Sequence, residues 1–334
     1  MAAETDFKTV LARLADTSRP APMTSLYHLS DLGREDLDAL AALWTDMTAE
    51  RRLHILQNLH EIAEANFEVV FDNVFQLGLD DESPEVRALA LRSLWESEDE
   101  SLIVPFLDSL VHDSDGMVRA AAASALGRFI YLSEIEEISE AAGQRVQDAL
   151  LDVINGEDDL EVRRRALEAV AYASRPEVTA LIEEAYGSGE PTLRMSAVFA
   201  MGRNSDERWA DPVRAELESP DPEMRYEAAR AAGELELQLA GPELAELVGD
   251  VDTQVREAAI WSLGQIGGEL ARQTLTDLLP EAVDDDDLEF IEEALANLDY
   301  TDEIQAFSMF DLEPDEDGLE DDDDEDEEVD EDPD

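Results

Sequence analysis

The 334-residue chain contains no cysteine. That absence excludes disulfides, thiolate nucleophiles, cysteine-bound metals and cysteine-linked chromophores on this chain. Lysine is almost missing too: Lys8 is the only one among 23 basic residues, and the rest are arginine. Aromatic residues make up 6% of the chain, and Ala and Leu carry most of the apolar mass. That balance favours closely packed helices over sheets. No apolar run approaches the roughly 18 residues that a membrane span requires. The opening, MAAETDFKTVLARLADTSRP, has no unbroken apolar core and carries Glu4 and Asp6, unlike a secretory leader. Phe7, Val10, Leu11 and Leu14 fall at helical spacing and predict a short amphipathic helix. A soluble, cytoplasmic protein with no membrane partner is expected.

What the chain has in excess is acid. Its 85 Asp and Glu give a net charge of −62. Residues 311–334 hold 18 acids and no base, so 67 acids still face 23 bases on residues 1–310. The body is acidic as well as the tail. Such a surface repels phosphate backbones and anionic membranes, so no nucleic-acid partner is expected. Acid-rich, lysine-poor surfaces also occur in salt-adapted proteins, and a high-GC genome gives the same arginine bias.

One phrase recurs along the chain. It reads SPEVRALALRSLW from Ser83, DGMVRAAAASALG from Asp115 and DLEVRRRALEAVA from Asp159. It returns as EPTLRMSAVFAMG from Glu190, DPEMRYEAARAAG from Asp221 and DTQVREAAIWSLG from Asp252. Its arginines are Arg87, Arg119, Arg163, Arg194, Arg225 and Arg256, spaced 32, 44, 31, 31 and 31 residues apart. A weaker copy centres on Arg52, and a last one places Ile291 where the arginine would stand. Ser83, Asp115, Asp159, Asp221 and Asp252 stand at helix N-caps, where a side-chain oxygen accepts from a free backbone N–H. Pro84, Pro191 and Pro222 follow at the first helical position. Val86 and its equivalents face the core, and Ala90, Ala122, Ala166, Ala197, Ala228 and Ala259 let neighbouring helices approach. Gly127, Gly202, Gly233 and Gly264 are expected to end these helices in a left-handed cap. Shorter amphipathic segments lie between the copies, such as PFLDSLV from Pro105 and PELAELV from Pro242. The unit is therefore helix, turn, helix, and only stacking buries its apolar face.

The phrase D-x-D-x-x-V-R-x-x-A-x-x-x-L-G resembles the HEAT repeat, in the short bacterial variety first associated with phycobilisome lyases. The resemblance covers roughly residues 45–300 and implies an all-α fold. That fold is a right-handed α-solenoid of the ARM/HEAT type, with about seven to eight helix-pair repeats. It further implies a ladder in which recurring Arg and Asp residues join neighbouring repeats. The ladder set is Arg52, Arg87, Arg119, Arg163, Arg194, Arg225 and Arg256 with Asp81, Asp113 and Asp250. The chain divides into an N-terminal helical cap (1–45), the array (46–300) and a disordered acidic tail (301–334). From Glu320 to Asp332 there are 12 acids in 13 residues, a composition that cannot collapse.

The long spacing between Arg119 and Arg163 marks an insertion near Phe129–Gly143. Phe129, Tyr131, Leu132, Ile135 and Ile138 there are candidates for partner docking; the alternative is a pair of longer helices closing on each other. The tryptophans Trp44, Trp95, Trp209 and Trp261 suit buried packing, whereas one exposed on the concave face would be an anchor for a partner. The histidines His28, His54, His60 and His112 form no zinc pattern. The single pair His60-Glu61 falls short of the several His-Glu pairs by which deoxyhypusine hydroxylase, a HEAT-like di-iron enzyme, holds its metals. No cofactor, metal site or catalytic residue is assigned. The expected function is a non-catalytic scaffold or adaptor that docks a partner protein of basic or mixed charge. The alternative is a bilin-lyase-like enzyme or accessory acting on a cofactor or cofactor-bearing protein.

Overall fold

The computed structural model describes the backbone of residues 6–310 and the side chains through Glu303. Every regular element among the described residues is helical. The chain opens with α1 (Phe7–Ala15) and α2 (Met23–Leu26). Eight helix pairs follow. They are α3 (Arg34–Trp44) with α4 (Ala49–Ala65), α5 (Asp72–Gln76) with α6 (Pro84–Ser93), α7 (Ile103–His112) with α8 (Gly116–Glu134), and α9 (Glu140–Asn155) with α10 (Leu160–Val170). The series continues with α11 (Pro176–Tyr186) and α12 (Pro191–Asn204), α13 (Ala210–Glu216) and α14 (Pro222–Glu234), α15 (Gly241–Leu247) and α16 (Thr253–Ile266), and α17 (Glu269–Leu278) and α18 (Asp285–Phe310). The last helix carries the chain past the boundary expected at residue 300. Residues 311–334 lie outside the described residues.

The second helix of each pair packs on the second helix of the next, which makes a solenoid. The alanine three residues after each repeat arginine, from Ala90 to Ala259, is fully buried in all six copies. So is the residue four positions further on, as at Leu126, Met201 and Leu263. At the N-terminal end Arg51, almost fully buried, donates to the carbonyls of Arg13, Leu14 and Arg19. The first two are free carbonyls of the last turn of α1, so a single guanidinium fastens the opening helix to the array.

Two local expectations need correction. Asp115, Asp221 and Asp252 accept a backbone N–H of the first turn at 2.8, 3.1 and 2.9 Å. Ser83 and Asp159 occupy the same position without capping: the Ser83 hydroxyl donates to Glu85 at 2.6 Å, and Asp159 takes Arg119 Nη2 at 3.4 Å. The glycines do not cap either. Gly127, Gly202, Gly233 and Gly264 all lie inside their helices. A Cβ there would stand 3.2, 2.8, 3.0 and 3.1 Å from the Cα of Ala169, Ala231, Ser262 and Ala294 in the next second helix. Each glycine removes the side chain at the point where two backbones cross. In the regular copies the left-handed residue comes three positions later, at Ser205, Glu236 and Gly267.

The insertion lengthens α8 and α9 rather than forming a loop. Phe129 and Leu132 are buried, with Phe129 edge-on to Phe106 at 6.1 Å between ring centres, and Ile138 packs against the core. These three are therefore packing residues; Tyr131 and Ile135 remain exposed.

Candidate functional site

Two features run along the array: the ladder at the N-terminal ends of the second helices, and the face those helices present. In a complete rung one guanidinium joins two repeats. Arg87 Nη1 donates to the carbonyl of Asp81 in its own repeat at 2.6 Å. Its Nε and Nη2 grip both oxygens of Asp113 in the next repeat at 2.7 and 2.9 Å. Arg225 does the same with the Ser219 carbonyl at 2.8 Å and Asp250 at 2.8 and 2.9 Å. Arg119 holds the Asp113 carbonyl at 3.0 Å and Asp158 at 2.6 Å. Arg52 holds the Met47 carbonyl at 2.6 Å and Asp81 at 2.7 Å. Asp81, Asp113 and Asp250 each accept the backbone N–H two residues on at 2.9 Å, so one carboxylate fixes its own turn and the joint before it. The Arg225 hydrogen bond holds the Asp250 carboxyl below its ordinary value, and Arg119 does so for Asp158.

Asp158 was not among the expected ladder acids, because Glu157 fills the regular position and the working acid is shifted by one. Three arginines depart from the pattern. Arg256 bonds within its own repeat, to the Asp250 carbonyl and Thr253 Oγ1, each at 2.9 Å. Arg194 pairs with Glu216 on α13 and stacks on Tyr186, whose hydroxyl also donates to Glu216 at 2.7 Å. Arg163 donates only to the Ile154 carbonyl, at 3.0 Å. For Arg163 and Arg194 the cause is legible: Ser188 and Ser219 stand at the position that holds Asp81, Asp113 and Asp250 in other repeats. Their hydroxyls still accept the backbone N–H two residues on, at 3.4 and 3.3 Å, but they offer no carboxylate to a neighbour.

The open face of the second helices is built from positions two, five and nine after each repeat arginine, which share one side of a helix. Across six repeats these positions hold Arg92, Arg128, Arg165, Arg203 and Arg230 against Glu96, Glu168, Glu227 and Glu234. Tyr172, Phe199 and Trp261 are the aromatic members, and Leu89, Ala121, Ser124, Ser196, Ala258 and Gln265 fill the remaining positions. In a chain of net charge −62 this face is electrically balanced and aromatic. The charge of Glu168 reaches Glu227 two second helices away. Burial foremost, with Glu168 and Glu234 adding to it, pushes the Glu227 carboxyl up to about 7.

A groove of about 390 Å³ crosses this face at α8, α10 and α12. Trp95, 55% exposed, stands at one end and Phe199 at the other. Tyr131 and Tyr172 meet edge to face at 5.5 Å. Arg128 lies over Tyr131 at 5.4 Å, and Arg203 lies between Phe199 at 4.0 Å and Tyr172 at 5.3 Å. Arg203 Nε donates to the Tyr172 hydroxyl at 2.8 Å, and Arg165 is held by Glu161 and Glu168, each at 2.9 Å. Burial raises the Tyr172 phenol above its ordinary value, which keeps it neutral. Stacked guanidiniums and partly exposed rings suit an extended protein segment with apolar and charged side chains. A larger cleft of about 680 Å³ lies between the turns at 173–176 and 204–208. Its arginines, Arg175 and Arg208, already face Asp148 and Asp206 at 2.8 and 2.9 Å.

Of the other tryptophans, Trp44 and Trp209 are buried, with Trp44 Nε1 donating to Asp81 at 3.1 Å, and Trp261 lies on the open face under Arg230 at 3.9 Å. Among the histidines, His60 lies 3.3 Å from Glu64 and 3.2 Å from Ser93 Oγ.

Stacked helix pairs joined by an Arg–Asp ladder define a HEAT-repeat solenoid. Residues 72–148 and 210–296 match the family model described as HEAT repeats. The chain is 27% identical over 183 residues to the uncharacterized phycocyanin operon protein Z of Pseudanabaena tenuis, covering 54% of this chain and 87% of that protein. Among solved structures it is similar to the CpcE–CpcF complex of phycocyanin lyase from Nostoc, with a TM-score of 0.45 and 17% identity over 69% of this chain and 95% of that one. It is also similar to human deoxyhypusine hydroxylase, with a TM-score of 0.35 and 18% identity over 88% and 96% of the two chains. No helix among the described residues is long and apolar enough to cross a membrane.

Proposed function

We propose that the protein is a non-catalytic scaffold that docks a partner protein on its second-helix face, with the groove between Trp95 and Phe199 as the main anchor. The observation that carries this reading is the exposed Trp95 beside guanidiniums stacked on aromatic rings, on a charge-balanced face of an acidic chain. A partner of mixed charge fits both surfaces. Its acids meet Arg203, whose contact with Glu234 is as long as 3.9 Å, and its bases meet the acidic flanks. A nucleic acid meets repulsion from everything around the groove.

The test is quantitative capture of a protein from the native lysate. Trp95→Ala is expected to lower capture at least about tenfold, the loss of an anchor worth roughly 2 kcal/mol. Val251→Ala, a 94% exposed residue in the turn between α15 and α16, is the control and leaves capture unchanged. Equal capture by wild type and Trp95→Ala removes the groove from the interface.

A second reading is a lyase-type enzyme or accessory acting on a cofactor-bearing protein. It draws on the relative from a phycocyanin operon. The neutral Tyr172 phenol and the carboxylate-paired Arg165 suit holding a ligand better than attacking one.

A further inference from the structure

We infer that the joint between α10 and α12 is a hinge that divides the array into two arms and sets the width of the groove. This rests on the groove being the partner site. Two devices lock consecutive second helices: an Arg-to-carboxylate rung on one edge, and a glycine that lets the backbones cross closely. The α8/α10 joint has both, in Arg119–Asp158 and Gly127. So does α14/α16, in Arg225–Asp250 and Gly233. The α12/α14 joint has Gly202 and the substitute pair Arg194–Glu216. The α10/α12 joint has neither. Ala171 stands at the glycine position, Ser188 stands at the aspartate position, and Arg163 turns back to Ile154. The two segments that match the HEAT-repeat model also stop short of this joint on either side, at residues 148 and 210.

What crosses this joint lies on the side of the groove. Arg203 bonds to the Tyr172 hydroxyl, the Asn204 amide donates to the Ala171 carbonyl at 3.1 Å, and Arg164 donates to Ser196 Oγ at 3.1 Å. The joint is therefore tied along the groove and untied along the ladder. A bound segment that engages Arg203 or Tyr172 acts directly on the ties, so occupancy of the groove and the angle between the arms are coupled.

The cysteine-free chain allows pairs of introduced cysteines to carry spin labels. Asp108→Cys with Glu184→Cys spans α7 to α11, across one locked joint and the α10/α12 joint. Asp80→Cys with Asp152→Cys, on exposed residues one step earlier, spans two joints that both carry a rung. The Asp108/Glu184 distance distribution is expected to be the broader of the two. Ser188→Asp, which supplies the missing carboxylate, is expected to narrow it toward the control. Equal widths in the otherwise wild-type chain overturn the hinge, and so does a broad distribution that Ser188→Asp leaves unchanged. No partner enters this measurement, so its failure leaves the capture result with Trp95→Ala standing on its own.

Discussion

At the residue scale the ladder arginine matters because it satisfies three acceptors at once. Arg225 serves both oxygens of Asp250 and the Ser219 carbonyl, and the side chains of Arg225 and Asp250 are only 14% and 8% exposed. Arg225→Ala leaves those acceptors without donors in a place that water reaches poorly, at an expected cost of about 1–3 kcal/mol. Arg208, half exposed and bonded to Asp206 and Glu183, is the comparison; Arg208→Ala is expected to cost under about 0.5 kcal/mol. Acid gives a second readout. Asp250 is depressed in the folded state, chiefly by the Arg225 hydrogen bond. Its contribution is complete above its unfolded value and is lost as pH falls through the folded one. The deficit of Arg225→Ala, measured by denaturant unfolding, is thus full near neutral pH and shrinks once the medium passes below the ordinary aspartate range of about 3.9. A deficit that stays constant into acid would show that Arg225 acts by packing and not through Asp250.

At the scale of the element, the joint between second helices depends on missing side chains. A Cβ on Gly202 would lie 2.8 Å from the Cα of Ala231 and 3.1 Å from its Cβ, so Gly202→Ala must push α12 and α14 apart. The expected loss is about 1–3 kcal/mol, read as a lower denaturation midpoint. Gly189→Ala meets nothing within 4 Å and is expected to be neutral or to stabilise slightly. Equal midpoints for the two variants would mean that the crossing is looser than its geometry. The repeat arginines, the buried alanines and the helix-starting prolines were legible in the sequence because each recurs in register and has one physical use. The glycines recur just as well but were misread. A glycine near the end of a helix serves equally as a cap or as a crossing point, and only the left-handed residue three positions later separates the two. Asp158 was missed because one residue of slippage hides it behind Glu157. The groove was hidden for a different reason. Its side chains occupy the positions of the phrase that vary, and variation in one sequence looks like indifference until the helices are stacked.

For the whole molecule, the question is whether charge helps or harms the folded array. Residues 1–310 carry 67 acids against 23 bases. With nearly three acids for every base, the surface carries a large surplus of acid even where ion pairs form. Two opposite salt effects follow. Exposed ion pairs are worth at most about 1 kcal/mol each and weaken as salt rises. Repulsion among the unpaired acids weakens too, because the screening length falls from about 8 Å at physiological ionic strength to about 3 Å at 1 M. The ladder forks are short and sheltered and lose little. The surplus of acids exceeds the number of exposed pairs, so relief of repulsion wins. The thermal midpoint is expected to rise with NaCl. Chloride is the right probe because sulfate also strengthens apolar burial by exclusion from the surface. A chain ending at Phe310 keeps its acid surplus and is expected to show the same upward trend. A midpoint that falls with NaCl in that shortened chain would mean that ion pairs, and not apolar stacking, hold the repeats together.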